Sequence, residues 1–177
     1  MEIIVTKSEI EKKQALEVRR RVFIEEQNVS EGLELDEFEN IATHFVALDN
    51  GRPVGVGRLR LKKYYAKFER IAALKECRGK GVGQKIMSFM EDYAKLKFPS
   101  YLPAMHAQKS AISFYEKIGW EGIGDEFEEA GIVHKVLVLP PNDLESLRGL
   151  QILEDKDANK DIKQFLENEI IRHQKLL

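Results

Sequence analysis

The chain has 177 residues, of which 43% are hydrophobic and 33% charged, and its formal net charge is -2 at pH 7. This length suits one well-packed domain better than two, so a single α/β domain is expected. Mixed charges argue against a dedicated nucleic-acid binder, which usually carries a basic face.

The sequence also indicates a cytoplasmic protein without a membrane segment. No stretch approaches the ~18 continuous apolar residues that a membrane span needs, and the first residues lack the charged-then-apolar layout of a signal peptide. Cys77 is the single cysteine, which excludes an internal disulfide and fits a reducing compartment.

The chain opens with a predicted strand and helix. Residues 2–6 have the pattern of a short strand. Ser8 and Glu11 stand at capping-box spacing and predict a helix through about Glu25. Its apolar face comprises Ala15, Val18 and Val22. Residues 19–21 are all arginine and are expected to be solvated, with one of them a candidate to face a substrate pocket.

Residues 27–41 are acidic and weakly periodic, which predicts a loop with one turn of helix. Such loops often border a pocket. The acidic residues between 25 and 39 would suit a cationic amine, although a solvated surface loop has a similar composition.

Three strands follow in the prediction. The first two cover residues 43–48 and 53–61, and the Asn50-Gly51 pair between them is a strong hairpin signal. The third covers residues 68–74 and is reached through a linker at 62–67. A mostly antiparallel sheet is therefore expected here.

The third strand runs into the sequence Arg-Gly-Lys-Gly-Val-Gly at residues 78–83. A helical apolar period follows and ends near Phe98, before Pro99, with the stripe Val82, Ile86, Phe89, Tyr93 and Leu96. Glycines at a strand-to-helix turn expose the main chain, and the first helical N–H groups lack internal partners. Together with Arg78 and Lys80 they predict an anion site, the alternative being a plain tight turn.

Residues 101–107 form the next predicted strand, parallel to the strand before the glycine loop because a helix connects the two. A short helix then carries Ala111, Phe114, Tyr115 and Ile118. Two further strands, 120–123 and 132–139, are expected around a loop at 124–131.

Beyond Pro141 the sequence becomes charged and helix-forming. Leu144 and Leu147 indicate one short helix, and a second carries an apolar stripe of Ile162, Leu166, Ile170 and Leu177. We therefore expect a domain at 1–139 and a helical C-terminal extension at 140–177. The stripe packs on the domain, contacts a second subunit in a homodimer, or belongs to a mobile tail, and the sequence leaves these three open.

Two motifs identify a family. Arg78-x-x-Gly81-x-Gly83 fits neither the Walker loop nor the dinucleotide fingerprint, but it resembles the pyrophosphate loop of the GNAT superfamily of N-acetyltransferases. Residues 111–120 resemble that family's A-x-x-F-Y-x-x-x-G-F segment, with Trp120 in place of Phe. The resemblance spans residues 1–139 and implies a mixed α/β, GNAT (acyl-CoA N-acyltransferase) fold with a mostly antiparallel central sheet and one splayed parallel strand pair.

Three further segments, 20–27, 102–108 and 129–134, resemble the small bacterial ElaA/YjcF-like branch of that family. Most members of this branch lack assigned substrates. From these segments Phe23, Glu26 and His134 are the candidate substrate-binding residues.

The resemblance implies acetyl-CoA as cosubstrate. The main-chain N–H near Ile71 would contact the acetyl carbonyl, those near Ala73 would contact pantetheine, and the loop would hold the pyrophosphate. Tyr115 matches the tyrosine that protonates the leaving thiolate, the alternative being a hydrogen-bonded core residue. The candidate cofactor-binding residues are Ile71, Ala72, Ala73, Arg78, Gly79, Lys80, Gly81, Val82, Gly83, Ala111, Phe114 and Tyr115.

An amine nucleophile must lose a proton before it attacks, so a base or water relay is required. Glu69 and His106, at strand ends, are the candidates, each with a structural alternative. A covalent role for Cys77 is disfavoured because direct transfer needs no nucleophilic residue. No metal site is expected, since the histidines have no ligand spacing.

These features predict an acetyl-CoA-dependent N-acetyltransferase that acts directly on the primary amine of a small molecule, with no nucleic-acid or membrane partner. A CoA-binding regulatory module without catalysis and an acyltransferase for longer acyl chains are the alternatives.

Overall fold

A computed structural model describes residues 1–175 of the chain. The strands are β1 (Glu2–Val5), β2 (Thr43–Asp49), β3 (Arg52–Lys62), β4 (Tyr65–Ala73), β5 (Leu102–Gln108), β6 (Glu121–Glu129) and β7 (Ile132–Val138). The α-helices are α1 (Glu9–Arg19), α2 (Glu31–Glu34), α3 (Val82–Lys97), α4 (Ile112–Lys117), α5 (Leu144–Arg148) and α6 (Lys160–Gln174). A π-helix at Arg20–Glu26 continues α1, and 3-10 turns lie at Lys75–Cys77, Lys109–Ala111 and Gln151–Leu153.

The chain divides into two compact units. The first comprises Met1–Arg60 and Phe68–Tyr93, and the second comprises Leu61–Lys67 and the chain from Ala94 onward. Strands β3 and β4 and helix α3 each contribute residues to both units.

In the first unit the strand order is β1-β2-β3-β4. Both β1 with β2 and β2 with β3 pair antiparallel, with Ile3 opposite Ala47 and Phe45 opposite Gly57. Asn50 and Gly51 have φ of 50° and 78°, so the hairpin predicted between β2 and β3 is confirmed as a turn of the primed type.

The predicted capping box begins α1. Glu11 N–H donates to the Ser8 hydroxyl, and the Glu11 carboxylate accepts from the Ser8 N–H at 2.8 Å. The apolar face is buried as expected, with Ala15, Val18 and Val22 at 1 to 3% exposure. They share a cluster with residues of β2, β3 and β4.

Helix α3 packs closely on β3 because two glycines leave room for it. A Cβ at Gly55 would lie 2.7 Å from side-chain atoms of Val82 and Ile86, and one at Gly57 would overlap Met90. The predicted stripe is partly wrong: Leu96 is 76% exposed and Phe89 36%. The buried face is instead rotated away from Phe89 and Leu96, and it consists of Val82, Ile86, Met87, Met90 and Ala94.

In the second unit the strand order is β5-β7-β6, with antiparallel pairs that place Met105 opposite Leu137 and Phe127 opposite His134. At the start of β5, the Leu102 N–H donates to the Tyr64 carbonyl at 2.9 Å. Since β4 and β5 both begin at this contact, they are parallel there. The predicted mixed α/β class with a parallel pair is confirmed.

Two strand boundaries differ from the prediction. Strand β4 begins at Tyr65 because a tight turn with Lys63 at φ 55° replaces the expected linker. Strand β6 continues to Glu129, and Ala130 and Gly131, with φ of 52° and 75°, form the turn where a loop at 124–131 was expected. Both turns place a residue other than glycine at positive φ, which sequence signals do not identify well.

The C-terminal helices pack within the second unit. Leu147, Ile162 and Leu166 are buried at 0 to 4% exposure in one cluster with Leu102 and Val138. Ile170 packs against the same cluster, whereas Leu177 lies outside the described residues. Within residues 1–175, every helix is too short or too polar to cross a bilayer.

We expect Leu166→Ala to lower the free energy of unfolding by about 2–5 kcal/mol, because it leaves a cavity at a fully buried position. Leu96→Ala is the matched control, since Leu96 is a helical leucine with 76% exposure and its truncation should change stability by less than about 0.5 kcal/mol. Urea unfolding followed by circular dichroism measures both. Equal effects would contradict the packing of the C-terminal helix.

Candidate functional site

The glycine loop connects the end of β4 to the beginning of α3. Gly79 and Gly81 have φ of 72° and 79°, and a Cβ at either glycine would meet nothing within 4 Å. Lys85 N–H donates to the Gly81 carbonyl, so Gly81 is the N-cap residue that directly precedes α3. The N–H groups of Val82 and the two residues after it therefore have no partner within the helix, and they carry the positive end of its dipole. This geometry suits an anion.

Two side chains of the loop are fixed by neighbouring groups. Lys80 Nζ donates to the Glu76 carbonyl at 2.8 Å. Arg78 Nε donates to the Ala73 carbonyl at 3.1 Å, and its two terminal nitrogens donate to the Glu26 carboxylate at 2.6 and 2.7 Å. The hydrogen bond from Arg78 lowers the pKa of Glu26. The Arg78 guanidinium thus binds the Glu26 carboxylate through both terminal nitrogens, which is the geometry that a phosphate oxygen pair would also require.

The strand before the loop has one edge paired with β3. Leu74 N–H donates to Val54 on β3 at 3.0 Å. Successive N–H groups of a strand alternate in direction, so those of Ala73 and Ile71 point away from β3. Just before Ile71, Arg70 has φ 54°, a left-handed conformation within β4.

The Glu69 carboxylate is bound by two guanidinium groups, those of Arg58 and Arg60. Its side chain is 8% exposed, and it accepts from Arg58 Nη2 at 2.8 Å and from Arg60 Nε at 2.9 Å. Two cations stabilise the ionised carboxylate and occupy the lone pairs that an incoming proton would need. The geometry therefore argues against Glu69 as a general base.

The acidic segment at residues 27–41 forms ion pairs with buried arginines. Arg19, expected to be solvated, is fully buried and bonds to Glu34 and Glu39. Partial burial acts to raise the pKa of Asp36, but hydrogen bonds and charge from Arg58 outweigh it and lower the pKa to about 2. Burial raises the pKa of Glu34 despite the arginines near it. These carboxylates neutralise the protein's own cations, so they do not support a cationic substrate.

His106 has an acidic partner that the sequence did not indicate. Its Nδ1 lies 3.0 Å from the Glu129 carboxylate, across the second unit's sheet, and 34% of its side chain is exposed. Burial and then the charge of Lys67 lower the pKa of His106, while Glu129 partly offsets them. With Nδ1 protonated toward Glu129, the neutral ring keeps Nε2 as an acceptor.

His106 and His134 lie on either side of Phe127. The His106 ring meets Phe127 edge-on at 4.9 Å, and the His134 ring stacks on it at 6.0 Å. His134 is 8% exposed, and its Nδ1 lies 2.8 Å from the Ile132 carbonyl. The structure thus brings together a candidate base and a candidate substrate-binding residue around Phe127, an aromatic residue that no sequence motif indicates.

Tyr115 is 7% exposed on α4, and burial raises the pKa of its hydroxyl to about 12. Phe114 contacts it edge-on at 5.0 Å, and Ala111 precedes the helix. At neutral pH this phenol keeps its proton, as a proton donor must.

Phe23 and Cys77 belong to the first unit. Phe23 packs beside the apolar face of α1, and Cys77, partly buried, packs against the same cluster. Within residues 1–175, no three His, Cys, Asp or Glu side chains converge so that they could hold a metal ion.

Comparison with known proteins agrees with this geometry. The profile described as "Acetyltransferase (GNAT) domain" matches residues 7–137. "Uncharacterized N-acetyltransferase YjcF" of Bacillus subtilis is 42% identical over 135 residues, which are 76% of this chain and 96% of the relative. "Uncharacterized protein YyaT" of the same organism is 42% identical over 128 residues, which are 70% of this chain and 85% of the relative.

Solved structures agree in fold. Escherichia coli ElaA superposes with a TM-score of 0.71 at 22% identity, covering 78% of this chain and 99% of that one. An acyl-CoA N-acyltransferase from Pseudomonas aeruginosa has a TM-score of 0.70 at 18% identity, covering 78% and 98%. The fold is that of the acyl-CoA N-acyltransferases. The chain belongs to the GNAT family of acetyltransferases, and the family and enzyme class predicted from the sequence are confirmed.

The two charges near His106 should move its pKa in opposite directions. Because Glu129 favours the protonated ring and Lys67 disfavours it, we expect Glu129→Gln to lower the pKa further and Lys67→Met to raise it. Titration of the ring carbon protons by NMR measures both variants. A shift in the same direction for both would contradict the assigned contacts.

Proposed function

We propose that this chain transfers the acetyl group of acetyl-CoA to the primary amine of a small molecule, by direct attack in a ternary complex. The observation that carries this proposal is the loop at 78–83: two glycines at positive φ, a bidentate arginine and N–H groups without intrahelical partners at the start of a 16-residue helix. These groups suit a diphosphate. Family membership supports acetyl-CoA as its source.

Arg78 would exchange Glu26 for the diphosphate. Their side chains are 42% and 35% exposed, and an exposed ion pair contributes only about 0.2–1 kcal/mol. A diphosphate offers more charge and additional bonds to the loop N–H groups, so the exchange is favourable. Glu26 and Phe23 as substrate contacts stay predictions.

Acetyl transfer places negative charge on the thioester oxygen as the amine attacks, and a fixed N–H donor lowers the barrier most when it points to that oxygen. The Ile71 N–H, which points away from β3, is proposed for this role. The carbon–sulfur bond then breaks, and Tyr115, whose pKa of about 12 keeps it protonated, would give its proton to the thiolate.

His106 is the preferred base. Its lowered pKa leaves it neutral at pH 7, whereas Glu69 is held ionised by Arg58 and Arg60. The proton removed from the amine would go to Nε2, since Nδ1 faces Glu129. His134, beside the same aromatic ring, is proposed as a substrate contact. The cytoplasmic location, the domain boundary at 139 and a homodimer stay predictions.

Gly81→Val tests the loop. A branched residue at φ 79° strains the turn and displaces the N–H groups, so acetyl-CoA affinity measured by calorimetry should fall at least about tenfold. Gly131→Val is the matched control, because it introduces the same residue at φ 75° in the β6–β7 turn. If the wild-type chain bound no acetyl-CoA at micromolar concentration, the proposed function would be wrong.

Tyr115→Phe separates chemistry from binding. Loss of the proton donor should slow CoA release by about 100-fold or more, while affinity for acetyl-CoA stays unchanged. Thiol release with a panel of diamines, amino sugars and arylalkylamines measures turnover. Binding without turnover across the panel would favour a regulatory module, and tighter binding of a long-chain acyl-CoA would favour a different acyl donor.

A further inference from the structure

Arg70 adopts a backbone conformation that a long side chain rarely takes inside a strand. Its φ is 54°, between Glu69 and Ile71 in the middle of β4. Such a residue costs about 1–3 kcal/mol and persists only where its surroundings hold it. The neighbouring Ile71 carries the N–H proposed to meet the acetyl carbonyl, so whatever holds Arg70 also sets the direction of that N–H.

The side chain of Arg70 is anchored to the α2 segment. Its Nη2 donates to the Leu33 carbonyl at 2.8 Å and lies 3.3 Å from the Glu34 carbonyl and 3.4 Å from the Asp36 carboxylate. Its Nε lies 2.6 Å from Glu34 Oε2 but without hydrogen-bond alignment, so this contact is an ionic one. The Arg70 guanidinium is therefore held both by main-chain carbonyl groups and by the carboxylate of Glu34.

Glu34 and Glu69 belong to one series of ion pairs, whose two ends, Arg70 and Glu69, are joined by the peptide bond between them. Arg19 bonds to Glu34 and, through two nitrogens at 2.8 and 2.9 Å, to Glu39. Glu39 also accepts from Arg58, which donates to Glu69. The ring of ion pairs runs through Arg70, Glu34, Arg19, Glu39, Arg58 and Glu69 and returns to the residue next to its start.

Much of this ring is buried. Arg19 and Arg58 have side chains 0% and 1% exposed, and that of Glu34 is 3% exposed. Buried ion pairs are weak evidence for stability, but removing one partner leaves the other charge buried and unpaired, so a rearrangement that separates the partners is costly. The ring therefore holds two consecutive residues of β4. Glu69 is bound by Arg58 of β3, and Arg70 is bound by residues of α2.

We propose that the ring of ion pairs is a positioning device, which holds Arg70 in its left-handed conformation and thereby aims the Ile71 N–H at the thioester carbonyl. This inference rests on the proposed function. Arg70 is a positioning residue, since it acts through the neighbouring peptide. A donor fixed before the reaction needs no reorganisation when charge develops, which is the property that such a clamp supplies.

The test uses the carbonyl itself, so no acceptor is needed. Acetyl-CoA labelled with carbon-13 at the thioester carbonyl reports a hydrogen bond as a downfield shift of the bound signal relative to the free one. Arg70→Gly removes the anchor while accepting positive φ without strain. We expect this variant to lose most of the shift and to keep its affinity for unacetylated CoA within about twofold.

Two further variants keep the test decisive. Glu34→Gln removes one charge from the ring with little change in volume and should reduce the shift in the same direction. Arg70→Lys, which keeps the charge, should restore part of it. Lys63→Gly is the matched control, because it also replaces a cation at φ 55° with glycine but outside the ring, and it should leave the shift unchanged.

The outcomes are separable. If the wild-type chain binds acetyl-CoA and Arg70→Gly and Glu34→Gln both leave the carbonyl shift intact, the positioning role is overturned. Parallel loss of CoA affinity and of thermal stability in both variants would also overturn it, in favour of a purely structural role. If the wild-type chain binds neither CoA nor acetyl-CoA, the proposed function has failed, and the positioning role fails with it.

Discussion

Two buried guanidinium groups impose the constraint on which the first unit depends. Arg19 on α1 and Arg58 on β3 are at most 1% exposed, and each buried charge costs several kcal/mol unless it is paired. Their carboxylate partners come from the 34–39 segment and from β4. A segment with little regular structure therefore has to fold over the sheet. Once there, it also holds Arg70, so the charge requirement of the interior shapes the strand that leads into the loop.

Strand β4 connects the two proposed anion sites, one for the oxyanion that forms on the thioester and one for the diphosphate. Near its middle, β4 departs from regular geometry at Arg70, and at its end Ala73 accepts a hydrogen bond from Arg78 of the loop. Strand, loop and α3 are held together by the close packing of α3 on Gly55 and Gly57. The peptide groups proposed to meet the thioester and those proposed to meet the diphosphate thus lie on one continuous strand-loop-helix segment.

The sequence predicted best where structure is encoded locally. The capping box at Ser8, the Asn50-Gly51 hairpin and the glycine loop each depend on residues within a few positions, and each is present. The partners of Arg19 are 15 and 20 residues away, which no local pattern reveals. A signal did exist, because Arg19 follows Ala15 by four and precedes Val22 by three, on the apolar face of the helix. An arginine on a buried face requires acids, and residues 34–39 supply them.

The choice of base shows why residue type alone is insufficient. Glu69 and His106 are both titratable strand residues, and residue type alone does not decide between them. Their neighbours do: Arg58 and Arg60 hold Glu69 as an anion, whereas burial and Lys67 favour the neutral form of His106 and Glu129 orients its ring. A base must be neutral or anionic and must present an acceptor lone pair, and the neutral His106 ring with its proton on Nδ1 presents one at Nε2. Glu69 instead serves the ring of ion pairs, so the same carboxylate that is unsuited to proton transfer is suited to holding β4 in place.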